Sequence, residues 1–126
     1  MPMDKKKILI VDDNADTRLL LSARLKAHQY HTVFAADALQ AMSVAQKERP
    51  DAILLDLGLP GGNGMVVLQR FKANTSLSGI PIIIVTAEDP QVAEAGTIEA
   101  GAVAFLQKPV DQDKLLAAVQ QAIGTT

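Results

Sequence analysis

A chain of 126 residues with 48% hydrophobic and 21% charged residues has the length and balance of one globular domain with its own core, which excludes a disordered segment. It contains no cysteine, so disulfides and thiolate metal sites are excluded and a reducing cytoplasm suits it. A formal net charge of −2, with no Trp, three Phe and one Tyr, argues against direct nucleic-acid binding, and no apolar stretch is long enough for a signal peptide or membrane span.

Lys5 to Lys7 form a solvated lead-in to the first apolar run, Ile8 to Val11, which reads as a strand and stops at Asp12-Asp13. A helix follows over about residues 15–28, where Leu21 and Leu25 are four apart with Leu20 and Arg24 beside them. His28 and His31 flank an ordinary turn and receive no function. Thr32 to Ala36 reads as the second strand. Asp37 then caps a helix whose Ala38, Ala41, Met42 and Ala45 share a face, and Arg49-Pro50 ends it. The third strand, Ala52 to Leu55, runs into Asp56, and Asn63 or Gly64 opens a helix carrying Leu68 and Phe71. Pro81 to Val85 is the fourth strand and ends at Thr86. Asp89 caps the next helix with Pro90 at its first position, where the missing N–H costs nothing, and Gly101 supplies a left-handed stop. Gly96 in the middle of that helix costs about 1 kcal/mol relative to Ala, which predicts the loosest of the helices. Ala93, Ala95 and Ala104 suggest a small, apolar exterior there. Val103 to Leu106 is the fifth strand, leading to Lys108-Pro109, and Asp111 opens the last helix, with Leu115, Leu116, Val119 and Ile123 on its apolar side.

The blocks ILIV, AILL and PIIIV are continuously apolar, as strands covered on both faces must be. Five alternations of strand and helix predict right-handed crossovers and an α/β, doubly wound, flavodoxin-like fold. Its five parallel strands are expected in the order 2-1-3-4-5 with five helices, over residues 1–126 as a single domain. Parallel strands share one carboxyl edge. Asp12, Asp13, Asp56, Thr86 and Lys108 should therefore converge there. Each of these residues taken alone has an ordinary use as a cap, a turn or a solvated loop. Their joint placement at strand ends does not. Three carboxylates about 5 Å apart repel by roughly 3 kcal/mol per pair at an effective dielectric near 20, so a hard cation such as Mg²⁺ is expected among them. With a lysine beside them, such an ion would let a carboxylate nucleophile approach a phosphoryl group and form an aspartyl phosphate.

The elements VDDN at 11–14, DLGLPGGNG at 56–64, VTAE at 85–88 and EAGAVAFLQKP at 99–109 resemble those of response-regulator receiver domains. They stand in family order over nearly the whole chain, with Thr86 thirty residues after Asp56 and Lys108 twenty-two after Thr86. The resemblance implies a phosphoacceptor domain of two-component or phosphorelay signal transduction. Asp56 would be the acceptor; Asp12, Asp13, Asp56 and the Gly58 carbonyl would hold Mg²⁺; Thr86 and Lys108 would contact the phosphoryl group. It further implies Thr86 and Phe105 as a switch acting on the face formed by the fourth helix, fifth strand and fifth helix, and a cis Lys108-Pro109 peptide. The implied donor is a histidine kinase or histidine phosphotransfer protein, and the implied recipient of the signal is an output domain or partner protein. Asn63, where the family often has an aspartate, and the apolar Val103-Ala104 pair depart from the pattern without touching these residues. Gly58 and Glu88 would flank the path of hydrolytic water, and Gly58 has no side chain to orient it.

Three other readings compete. A phosphatase with an aspartate nucleophile would place a second acid two residues on, where Gly58 stands. A nucleotide or flavin module would need glycines and free N–H groups after the first strand, where the chain reads DDNADTR. An interaction domain independent of phosphorylation is disfavoured by intact Asp13, Asp56, Thr86 and Lys108. The expected protein is thus no conventional turnover enzyme. Its Met1 start favours a free-standing regulator or the first domain of a longer one.

Overall fold

The structure is a computed structural model and describes residues 5–60 and 64–124. Along the chain run β1 (Lys7–Val11), α1 (Ala15–Lys26), β2 (His31–Ala35), α2 (Ala38–Glu48), β3 (Ala52–Leu55), α3 (Gly64–Ala73), β4 (Ile82–Thr86), α4 (Pro90–Glu99), β5 (Ala104–Gln107) and α5 (Gln112–Ile123). The strands form one parallel sheet in the order β2-β1-β3-β4-β5, the predicted flavodoxin-like arrangement. β3 coincides with its apolar run, β1 gains Lys7 at its start, and the other three strands are displaced by one residue from the runs that announced them. Polar ends such as Thr86 and Gln107 still pair in the ladder.

Burial follows position in the sheet. The three central strands are almost wholly buried, whereas the edge strands β2 and β5 are only partly covered, which is why their sequences are less uniformly apolar. Alternate residues feed two separate cores. Leu9, Val11, Ile53, Leu55, Ile82 and Ile84 pack with Ala41, Ala45, Leu68 and Phe71 on one face. Ile8, Ile10, Leu54, Ile83 and Val85 pack with Leu21, Leu25, Leu115 and Val119 on the other.

The helix ends are set locally. Asp37 accepts a hydrogen bond from Gln40 N–H, Asp89 from Gln91 N–H and Asp111 from Lys114 N–H, as their cap positions predict. Arg49 closes α2 in the left-handed region at φ 49°, and Gly101 turns the chain after α4 at φ 115°. Asn63 lies outside the described residues, and the helix it was expected to open begins at Gly64.

The predicted exterior of α4 needs correction. Ala93 packs against the first core and Ala104 against the second, so only Ala95 of the three faces outward. The exposed apolar side chains are Val92, Ile98 and Val103. The buried residue of this helix is Thr97, whose hydroxyl donates to Glu94 carbonyl at 2.9 Å.

Candidate functional site

At the carboxyl end of β1 the Asp12 N–H still reaches Ala35 carbonyl at 3.1 Å, so the residue is held by the sheet and is only 2% exposed. Its Oδ1 accepts from Asn14 N–H at 2.9 Å, and Asn14 in turn caps α1 by accepting from Thr17 N–H at 2.9 Å. One helical turn beyond that cap, Arg18 donates from Nη1 to the Asp12 carbonyl at 2.7 Å. The strand end and the helix start are thereby locked together.

Asp56 extends β3 in the same way, donating its N–H to Val11 carbonyl at 3.0 Å, and the residue is only 8% exposed. Its Oδ1 accepts from Gly58 N–H at 3.1 Å. The start of α3 lies directly against this backbone. Gly64 N–H donates to Leu57 carbonyl at 2.8 Å, and a Cβ at Gly64 would collide with the Asp56 carbonyl and stand 2.6 Å from Leu57 Cα. Only glycine permits that approach.

Lys108 enters from β5, where its N–H donates to Thr86 carbonyl at 2.8 Å. Its ammonium lies 2.7 Å from Asp12 Oδ2 and 3.2 Å from Asp56 Oδ2, so one cation joins two strand ends. Burial favours the neutral amine, but hydrogen bonds and charge attraction from Asp12 and Asp56 outweigh it and hold the ammonium above the ordinary lysine pKa. The Lys108-Pro109 peptide is cis, in agreement with expectation.

Asp13 is exposed and takes no part in the Lys108 pairing. Nevertheless, one carboxylate oxygen from each of Asp12, Asp13 and Asp56 lies within 4.8 Å of the others. An octahedral Mg²⁺ with oxygens at 2.0–2.1 Å spaces adjacent ligands roughly 3 Å and opposite ones roughly 4 Å apart, so this all-oxygen group suits such an ion when the carboxylates draw inward or reach it through a water. Gly58 is exposed beside the Asp56 carboxylate, to which its N–H donates.

Thr86 is buried at the end of β4, and its hydroxyl accepts from Glu88 N–H at 3.4 Å. Among the described residues it has no hydrogen bond to Asp56, so the expected convergence is complete for the carboxylates and the ammonium and looser for the hydroxyl. Phe105 is half-buried, packs against the first core and lines a cleft of about 370 Å³ with Pro90, Glu94 and Lys114. Arg18 escaped sequence reading because its bond goes to a carbonyl, which leaves no motif. Its place one turn after the Asn14 cap was the available signal.

Residues 8–120 match the family described as response regulator receiver domain. Sporulation initiation phosphotransferase F of Bacillus subtilis is 39% identical over 119 residues, covering 94% of this chain and 94% of that protein. The response regulator PleD of Caulobacter vibrioides is 37% identical over 114 residues, which span 90% of this chain and 25% of PleD. Among solved structures, the receiver domain of sensor histidine kinase PA1611 from Pseudomonas aeruginosa, with a magnesium ion coordinated in its active-site cleft, superposes with a TM-score of 0.87 at 31% identity, covering 97% of this chain and all of that one.

Proposed function

Because the chain belongs to the response regulator receiver domain family, and so to two-component signal transduction, we propose that Asp56 is its phosphoacceptor. The observation that carries this reading is the Lys108 ammonium set between Asp12 and Asp56 at the shared strand edge. Receiver domains exchange phosphoryl groups with histidine kinases or phosphotransfer proteins. In the proposed transfer an Asp56 carboxylate oxygen attacks phosphorus, the new O–P bond forms as the bond to the donor breaks, and the donor leaves with that electron pair. Asp12, Asp13, Asp56 and the Gly58 carbonyl would hold Mg²⁺. When bound, the ion neutralises charge shared by the carboxylates and the phosphoryl oxygens. Lys108 pairs with one phosphoryl oxygen, and the Thr86 hydroxyl, whose proton is not committed to Glu88, donates to another. Thr86 and Phe105 then pass the change to the face formed by α4, β5 and α5.

Residues 1–126 would act as one receiver unit in the cytoplasm, signalling to an output domain or partner protein. Among the described residues no helix is long and apolar enough to cross a membrane. The unit would catalyse its own phosphorylation and dephosphorylation without steady turnover of a phosphoester. Incubation with Mg²⁺ and acetyl phosphate, read by intact-mass spectrometry, should add one phosphoryl group. Asp56→Asn should abolish the addition, and equal labelling of that variant would remove Asp56 from the role.

A further inference from the structure

Between α1 and the segment after β5 lies a cavity of about 360 Å³ walled by Leu20, Leu21, Val85, Pro109 and Val110. Arg24 reaches across it. Its Nη1 donates to the Val110 carbonyl at 2.7 Å, joining positions 86 apart in sequence. The neighbouring anchors of this segment are the Lys108 N–H on Thr86 carbonyl, at 2.8 Å, and the Asp111 cap of α5, at 3.0 Å from Lys114 N–H. Pro109 has no N–H to contribute, and among the described residues no other hydrogen bond reaches the Pro109 and Val110 peptide groups. The Val110 side chain packs at the margin of the second core, and beside it the apolar gap separates the Pro109 end of the segment from α1. The base of Arg24 is firm, since Leu21 and Leu25 on the same helix are buried in the second core. A guanidinium bond to a half-buried carbonyl is also stronger than one between neutral groups.

We infer that Arg24 is a positioning residue for Lys108: by holding Val110 it fixes the segment from which the ammonium reaches Asp12 and Asp56. The consequence for rate rests on the reading of Asp56 as acceptor, whereas the placement of the ammonium does not. Without the tether the ammonium samples a wider range of positions, and a displacement of about 1 Å at a reacting centre costs on the order of 100-fold.

The test uses Arg24→Met, which keeps the aliphatic stem over the cavity and deletes the donor. Proton–nitrogen NMR of the lysine ammonium groups, with the Lys108 signal assigned by its loss in Lys108→Ala, is expected to show that signal shifted or broadened. The rate constant for labelling by acetyl phosphate at saturating Mg²⁺ should fall roughly 10- to 100-fold. Arg24→Lys, which restores one donor, should recover part of both. In a Lys108→Ala background Arg24→Met should cause no further loss, because the residue acts through the lysine. An unchanged Lys108 signal in folded Arg24→Met overturns the inference, as does an equal loss of rate in the Lys108→Ala background. If Arg24→Met does not fold, Arg24→Leu, which also lacks the donor, is read by the same two criteria. Failure of the wild-type chain to accept a phosphoryl group would refute the acceptor reading alone, and the ammonium signal would still decide the role of Arg24.

Discussion

Lys108 is the counter-ion of two buried carboxylates, and its removal tests the electrostatics of the site directly. Lys108→Ala leaves Asp12 and Asp56 facing one another without a cation. Without Mg²⁺ it should be about 3 kcal/mol less stable than the wild type. Binding to the folded state stabilises by mass action, so Mg²⁺ should raise the melting temperature of Lys108→Ala more than that of the wild type. Equal increments in thermal melts with Mg²⁺ and with chelator would show that the lysine does not balance these charges. The pH dependence has a definite sign. The folded pKa of Lys108 is raised, so its contribution is fully present below the ordinary lysine value of about 10.4 and is lost as pH rises through the folded value. Denaturant titrations from pH 9 upward should therefore show wild-type stability declining more steeply than that of Lys108→Ala. Asp13, exposed and outside this pairing, should behave oppositely: Asp13→Ala weakens Mg²⁺ binding and raises metal-free stability by about 0.5 kcal/mol.

At the scale of an element, two glycines that begin or interrupt helices give opposite expectations. A Cβ on Gly96 would meet Met65 Cε at 3.6 Å, an ordinary contact, so Gly96→Ala should stabilise the protein by about 1 kcal/mol and slow amide exchange along α4. At Gly64 the same methyl would strike the Asp56 and Leu57 backbone, so Gly64→Ala should cost roughly 3 kcal/mol and displace the start of α3. Paired denaturation curves check both signs. In the sequence the two are alike, because what separates them is the distance to a neighbouring element. The central strands were legible since burial on both faces demands unbroken apolar runs, and Asp12, Asp56 and Lys108 since parallel strands share an edge. The facing of α4 was not. Its buried residue is Thr97, and a polar anchor hides the inward side from any reading of hydrophobicity. Arg18 and Arg24 were equally hidden, since each bonds a carbonyl and a carbonyl has no residue identity.

For the whole molecule the expected response to phosphorylation is local at its source and spreads by way of β5. Beryllofluoride, as a phosphoryl mimic, should alter amide exchange over residues 90–108, where Phe105 borders a cleft beneath α4 and Val92, at 81% exposure, and Val103, at 52%, supply the apolar surface. Protection changes confined to the Asp56 pocket would rule out that route. The division of the interior into two cores has a further bearing on how such a chain evolves. Mutations in the helix-side halves of the two clusters, far apart and without shared partners, add their effects instead of compounding them, so the sheet acts as a bulkhead between two mutational histories. A lineage can recut the surface over α2, α3 and α4 while α1 and α5 keep the opposite face in register. The proposed output face of α4, β5 and α5 lies across the edge where the two sides meet, so a change of partner there draws on both histories at once.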